Sequence, residues 1–380
     1  MRVVIAGGGT GGHLYPGLAL AEEILRRDPD AEVIFMGSER GIEARVVPRE
    51  GYRIKFIPTE GFVGRSPLRK FRSIVSFIKG LRLSYRYLDD IRPDIVVGSG
   101  GYVSVAPVMA AWLLSIPSVI MEQNSVPGRA NRFLSNFVRA VCVTYTESMR
   151  YFPSGKVHLT GNPVRERVLY GNSEAACRIF SLKKGVFTVL VFGGSSGASA
   201  INRAMVDALQ YLIDLRGQIQ FLHQTGERDY EFVKKAYRSY DYMGTVTPYI
   251  YQMPEAYAVA DLVVSRSGAT TISEICAVGK PAILIPYPHA AGDHQEMNAR
   301  KLESLGAAVM IRNSELTGKR LSEEIRRLFE RPDLRERMRS SAMGFGRTDA
   351  VKKIADIMSA LSARDEGKGC KVSGLEEAGG

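Results

Sequence analysis

Two stretches of this chain run from an apolar, β-branched strand into a cluster of glycines and then into a helix. That repeated arrangement restricts the possible folds more than any other feature of the sequence. The first stretch is Val3-Val4-Ile5-Ala6-Gly7-Gly8-Gly9-Thr10-Gly11-Gly12-His13, leading into Leu14-Tyr15-Pro16-Gly17. The second is Thr188-Val189-Leu190-Val191-Phe192-Gly193-Gly194-Ser195-Ser196-Gly197-Ala198. Glycines take positive φ angles and admit a ligand close to the main chain, while N–H groups at a helix start favour negative charge. Each turn is therefore an anion-tolerant site, and the first places an imidazole beside it.

Between and after these turns, strand-like runs alternate with amphipathic helical stretches, the pattern of parallel sheets with helices on both faces. Strands are expected at Val3 to Ala6, Val33 to Met36, Ile54 to Pro58, Asp94 to Gly98, Ser118 to Glu122 and Ala140 to Thr144. After the second turn they are expected at Ile219 to His223, Leu262 to Ser265, Ala282 to Ile285 and Ala308 to Ile311. A chain of 380 residues suits two domains at about 100–200 residues each. The expected class is α/β, with two Rossmann-like, doubly wound domains facing a cleft. Their join falls near Thr160-Gly161-Asn162-Pro163-Val164-Arg165, giving an N-terminal domain over 1–162 and a C-terminal one over 163–344. A helix over about 345–362 would pack back on the first domain, and 363–380, rich in glycine and charge, reads as a disordered tail.

The net charge of +11 permits nucleic acid, an anionic membrane or phosphorylated substrates as partners and does not choose among them. Cys142, Cys177, Cys276 and Cys370 are far apart and form neither a paired metal spacing nor a disulfide framework. The N-terminus enters a strand directly and no run of about 18 apolar residues occurs, so a protein neither secreted nor membrane-spanning is expected. Arg65, Arg69, Lys70, Arg72, Lys79, Arg82 and Arg86 accumulate around Phe71, Ile74, Val75, Ile78, Leu81 and Tyr85 at helical spacing. This basic amphipathic helix either turns its apolar stripe to the core or adsorbs to an anionic bilayer.

Several motifs carry chemistry. Gly7-x-Gly9-x-x-Gly12 satisfies the dinucleotide fingerprint, but the acidic residue that NAD binding wants at the end of the second strand is missing there, and Glu39 comes late. Gly193 to Gly197 offers N–H groups and hydroxyls to a phosphate without the lysine of a Walker motif. Glu274 could accept from both hydroxyls of a ribose, or Thr271-x-x-Glu274 could be a capping box. Asp28-Pro29-Asp30 reads as a turn at the far end of the sheet. His289 and His294 have no third ligand nearby, so zinc is not expected.

Gly9-Thr10-Gly11-Gly12-His13, Gly100-Gly101-Tyr102, Glu122-Gln123-Asn124, Thr160 to Arg165, Gly193-Gly194-Ser195, His223-Gln224-Thr225-Gly226 and Arg266-Ser267-Gly268-Ala269 together resemble the MurG family. Its members are the UDP-N-acetylglucosamine:lipid I N-acetylglucosaminyltransferases of peptidoglycan synthesis. The resemblance implies a GT-B fold and an inverting, metal-independent reaction that needs no cofactor, with UDP-GlcNAc and lipid I as substrates. The C-terminal domain would hold the donor: Glu274 on the ribose, the Ile250 backbone at the uracil, Ser195 at a phosphate, Ala269, Thr270 and Thr271 near phosphates and sugar, and Gln295 on sugar hydroxyls. Asn124 and Arg165, with Thr10, Gly11 and Gly12, complete the donor set, and Thr10, His13 and Tyr102 take the acceptor. Met121 stands where the family often has histidine, Ser196 where it often has glutamine, and His294-Gln295 where some members have two glutamines; Gln295 is favoured as the sugar ligand.

On this resemblance His13, with a pKa near neutrality, is the expected general base, worth typically about 10²–10⁴ in rate. Arg69, Lys70, Arg72, Ile74, Ile78 and Trp112 are the expected contacts to the anionic cytoplasmic face of the bacterial inner membrane. Other cell-wall synthesis proteins are possible partners, and nucleic acid is not expected as one. The alternatives are a diacylglycerol glycosyltransferase or UDP-GlcNAc 2-epimerase sharing the donor domain, an NAD-binding oxidoreductase, and a non-catalytic basic protein.

Overall fold

The computed structural model describes residues 1–59, 67–194 and 197–369, and divides the chain into two compact units. The first comprises residues 1–163 and the chain from 349 onward; the second comprises 164–348. The first unit holds seven strands: β1 (Arg2–Gly7), β2 (Glu32–Gly37), β3 (Arg53–Phe56), β4 (Ile95–Gly100), β5 (Ser118–Glu122), β6 (Ala140–Val143) and β7 (Val157–Leu159). They form one parallel sheet in the order β3-β2-β1-β4-β5-β6-β7. The second unit holds β8 (Phe187–Phe192), β9 (Ile219–Gln224), β10 (Gly244–Thr247), β11 (Leu262–Ser265), β12 (Ala282–Leu284) and β13 (Ala308–Met310). They are also parallel, in the order β10-β9-β8-β11-β12-β13.

Side-chain alternation explains why these runs are apolar throughout. Val3 and Ile5 lie in one core cluster with Val33, Phe35 and Val97, while Val4 and Ala6 lie in another with Ile34, Met36 and Val96. Both sheet faces are covered, so both sets of alternating positions must be hydrophobic. The same division separates Val189 and Val191 from Leu190 and Phe192 in the second sheet. Strand order reverses between β1 and β4 and again between β8 and β11, and both glycine turns leave the carboxyl end of a strand at these reversals. Ligands of open α/β sheets bind at such points.

The C-terminal helix is Ala350–Gly369, a correction to the expected span of about 345–362. Residues 363–369, expected in the tail, belong to this helix; 370–380 lie outside the described residues. Val351, Ile354, Ala355 and Met358 enter the first unit's core, and Arg27 pairs with Asp356 at 2.6 Å. Asp28-Pro29-Asp30 is a turn in which Asp28 accepts from the N-terminus at 2.9 Å and from Asp30 N at 3.2 Å.

Candidate active site

The opening turn is held from below by a residue that the sequence pattern does not single out. Glu43 is fully buried at the start of the helix Glu43–Arg49. Its Oε2 accepts from Gly9 N at 2.7 Å, and its Oε1 accepts from both the N–H and the hydroxyl of Ser38 at 2.9 Å. A Cβ at Gly8, Gly37 or Gly41 would run into the Glu43 side chain. These glycines thus make room for a carboxylate of the protein itself. Gly12 differs, since a Cβ there would meet nothing closer than Thr10 Oγ1 at 3.7 Å. Gly9 has φ +79° and would place a Cβ 4.0 Å from Tyr102 Cε1. Gly9 and Gly12 are therefore the roomier positions of the turn, over the start of the helix Gly11–Arg27, whereas a Cβ on Gly11 would come within 3.2 Å of Tyr15.

His13 is the third residue of that helix and is half-buried. Its ring lies in a slot formed by Gly100 and Gly101: a Cβ on Gly100 would strike Nδ1, and one on Gly101 would come within 3.1 Å of Cδ2. The β1–β4 register shifts between Ala6 and Gly7, pairing Gly7 with Gly100, at the strand end from which these two glycines leave the sheet. His13 Nδ1 lies 3.2 Å from Gln123 Oε1. Tyr102 is 44 % exposed at the same end of the unit, and Thr10 is exposed as the residue preceding the helix.

Glu122, buried at the end of β5, accepts from Asn124 N at 2.9 Å, Asn124 Nδ2 at 3.2 Å, Gly128 N at 3.1 Å and Asn131 Nδ2 at 2.9 Å. Glu122 thus shapes the loop that presents Asn124. The structure therefore brings Thr10, Gly11, Gly12, His13, Tyr102 and Asn124 to the carboxyl end of the first sheet.

In the second unit, Ser195 and Ser196 lie outside the described residues. The turn's neighbouring residue is described: Gly194 O accepts from Gln224 Nε2 at 2.9 Å, and Gln224 Oε1 accepts from Ile250 N at 2.9 Å. Gln224 thus ties the glycine turn to the backbone assigned to uracil by resemblance, a bridge the motif alone did not reveal. Beneath it, His223 is fully buried between the Tyr237 hydroxyl at 3.1 Å and Asn202 Oδ1 at 3.0 Å, and burial pushes its pKa down to about 3.

Glu274 sits in the helix Ala269–Val278, 9 % exposed, and accepts from the Tyr257 hydroxyl at 2.9 Å. Burial pushes its pKa up, opposed by the charge of the buried Arg165 and by the Tyr257 hydrogen bond. The capping-box alternative is overturned: the N-cap is Gly268, so Thr271 lies third in the helix instead of at its cap. Ala269 and Thr270 are buried in the first turn and Thr271 is half-buried. Arg266, pushed down to about 10 by burial, donates through Nη1 to Ile285 O at 3.1 Å, Pro286 O at 2.9 Å and Asn313 Oδ1 at 2.9 Å. Gln295 is anchored at both ends of the residue: its carbonyl accepts from Ser267 Oγ at 2.8 Å and its Oε1 from Tyr287 N at 3.0 Å. Among the described residues no group of three or more His, Cys, Asp or Glu is placed to hold a metal ion.

The basic helix is Pro67–Ile91. It does not bury its apolar stripe as a whole. Ser73, Gly80, Ser84 and Leu88 form the buried side, and Gly80 approaches Pro58 O so closely that a Cβ would lie 2.6 Å away. Ile74 and Ile78 are 48 % and 51 % exposed, and Trp112, at the end of the helix Val105–Leu113, is 48 % exposed. The side chains of Arg69, Lys70 and Arg72 lie outside the described residues. Among the described residues no helix is long and apolar enough to cross a membrane.

Comparison with known proteins defines the class. Residues 3–143 match the glycosyltransferase family 28 N-terminal domain and residues 188–357 match the family's C-terminal domain. The two Rossmann-like units with parallel sheets form the GT-B fold, and the protein is a glycosyltransferase. A Thermodesulfovibrio yellowstonii protein named UDP-N-acetylglucosamine–N-acetylmuramyl-(pentapeptide) pyrophosphoryl-undecaprenol N-acetylglucosamine transferase is 48 % identical over 364 residues, 96 % of this chain and 100 % of its own length. A Myxococcus xanthus protein of the same name is 46 % identical, covering 94 % of this chain and 92 % of its own. The crystal structure of Acinetobacter baumannii MurG superposes with a TM-score of 0.71 at 29 % identity, covering 94 % and 99 % of the two chains. The chain belongs to the MurG family. The Neisseria meningitidis UDP-GlcNAc 2-epimerase bound to UDP-GlcNAc, at 15 % identity and a TM-score of 0.65, covers 94 % of this chain and 99 % of its own and shares the fold.

Proposed function

We propose that this enzyme transfers GlcNAc from UDP-GlcNAc to the C4 hydroxyl of MurNAc in undecaprenyl-pyrophosphoryl-MurNAc-pentapeptide, with inversion and without a metal, releasing UDP. The observation that carries this reading is the 48 % identity, along the whole length, to a protein named for that transfer. His13 takes the proton from the attacking hydroxyl as the C4 oxygen bonds to the anomeric carbon and the bond from that carbon to UDP breaks. Negative charge then grows on the leaving diphosphate, and Ser195 with the N–H groups at the start of the helix Ser199–Ala208 stabilises it.

Glu274 receives the ribose hydroxyls, with Tyr257 and Arg165 supporting its carboxylate. Ala269, Thr270 and Thr271 line the phosphates and sugar, and Gln295 and Asn124 hold the GlcNAc. Uracil recognition by Ile250 N requires the Gln224 carboxamide to release that N–H. Thr10, Tyr102 and the turn Gly9 to Gly12 receive the acceptor. Ile74, Ile78 and Trp112, all exposed, dock the first unit on the anionic cytoplasmic leaflet where the acceptor's head group lies.

Steady-state kinetics of His13→Ala test the base. A fall in kcat of at least about 10², with UDP-GlcNAc binding retained, is expected for a lost general base; a change within about threefold removes His13 from that role. Activity should persist in excess EDTA, and strict Mg²⁺ dependence would refute the metal-free route.

A further inference from the structure

The geometry points to Gln123 as the positioning residue that selects the tautomer of His13, a role that rests on the proposed part of His13 as base. Gln123 is 2 % exposed, and its amide has only one orientation compatible with its surroundings. Its Nε2 donates to two backbone carbonyls, Ser99 O at 2.8 Å and Met121 O at 3.3 Å, which can only accept. Its Oε1 is therefore the atom that faces His13 Nδ1 at 3.2 Å, and an amide oxygen can only accept as well. In the neutral ring the proton must then sit on Nδ1, so the lone pair sits on Nε2. The proton of the acceptor hydroxyl is taken by Nε2, while Nδ1 keeps its hydrogen bond to Gln123 throughout.

The imidazole fills the Gly100–Gly101 slot that brings Nδ1 to Gln123, and a side chain at either position would occupy its space. Using an uncharged acceptor at Nδ1 has a consequence. A carboxylate there would hold the imidazolium and raise the pKa of the base, whereas an amide fixes the tautomer without adding that charge. Among the described residues, the titratable groups of the surrounding elements include Glu43, Glu122, Tyr102 and Tyr15. The first two are buried and spend their carboxylates on the loops around Ser38 and Asn124.

The test is ¹⁵N NMR of histidine-labelled full-length protein. The chain has five histidines, and the His13 signals are identified by their loss in His13→Ala. At a pH where the ring is neutral, His13 should show a protonated Nδ1 and an unprotonated Nε2; the reverse pattern overturns the assignment. Gln123→Met should mix the two tautomers and lower kcat by at least about tenfold, short of the ~10⁴ loss seen when a wrong tautomer is imposed on a catalytic histidine. KM for UDP-GlcNAc and the thermal shift given by UDP should stay unchanged. An unaltered tautomer in Gln123→Met, or unaltered kcat despite a mixed one, refutes the role of Gln123. Full activity in His13→Ala would instead refute the base itself while leaving the NMR result readable.

Discussion

At the scale of single residues, the glycines of the opening turn separate by what their missing side chains make room for. Gly8 accommodates Glu43 and has φ +148°, so Gly8→Ala combines backbone strain with a clash against a buried carboxylate. It should cost at least about 3 kcal/mol in urea unfolding. Gly12→Ala makes only ordinary van der Waals contact with Thr10 and gains helix propensity, so its Tm should hold or rise while transfer activity falls. Equal loss of stability in both variants would contradict the distinction. His223 supplies a pH prediction. Its folded pKa, about 3, lies below the ordinary 6.5, so between those values the unfolded chain binds the extra proton and stability declines as pH falls. The stability gap between wild type and His223→Gln should therefore narrow from pH 7 to pH 5 in urea titrations. A gap that widens would show that the ring is protonated in the fold.

At the scale of elements, the strands with long β-branched runs were legible because burial on both faces keeps most of their positions apolar. The edge strands Val157–Leu159 and Gly244–Thr247 were not anticipated, being short and partly exposed, with little apolar run to mark them. Glu43 escaped notice for a different reason: its ligands are backbone N–H groups and a serine brought together only by the β1 and β2 strand ends. Gln123 and Gln224 could be seen as motif members, but their work depends on which carbonyls face them. The helix Pro67–Ile91 was legible as amphipathic, yet only packing shows that small residues face inward and isoleucines outward. Neutralising Arg69, Lys70 and Arg72 to glutamine should weaken adsorption to anionic vesicles by about a hundredfold, taking about 1 kcal/mol per basic residue, and reversing their charge should weaken it further. Ile78→Glu should weaken it too without lowering Tm, since Ile78 is already 51 % exposed. Unchanged sedimentation with vesicles would assign this face another purpose.

At the scale of the whole molecule, two α/β units carry separate sets of groups: an imidazole at a helix start in the first, and in the second a buried carboxylate bonded to a tyrosine hydroxyl and a glutamine anchored to backbone. UDP should raise the melting temperature of wild type and of His13→Ala alike, and NAD should raise neither. The most direct measurement of the central claim supplies radiolabelled UDP-GlcNAc with detergent-dispersed lipid I, diacylglycerol and excess EDTA in one reaction, and separates the products. Label is expected in a disaccharide pyrophosphoryl lipid, matched one for one by UDP. Label in diacylglycerol, an epimerised sugar nucleotide, or UDP released with no labelled lipid would contradict that claim.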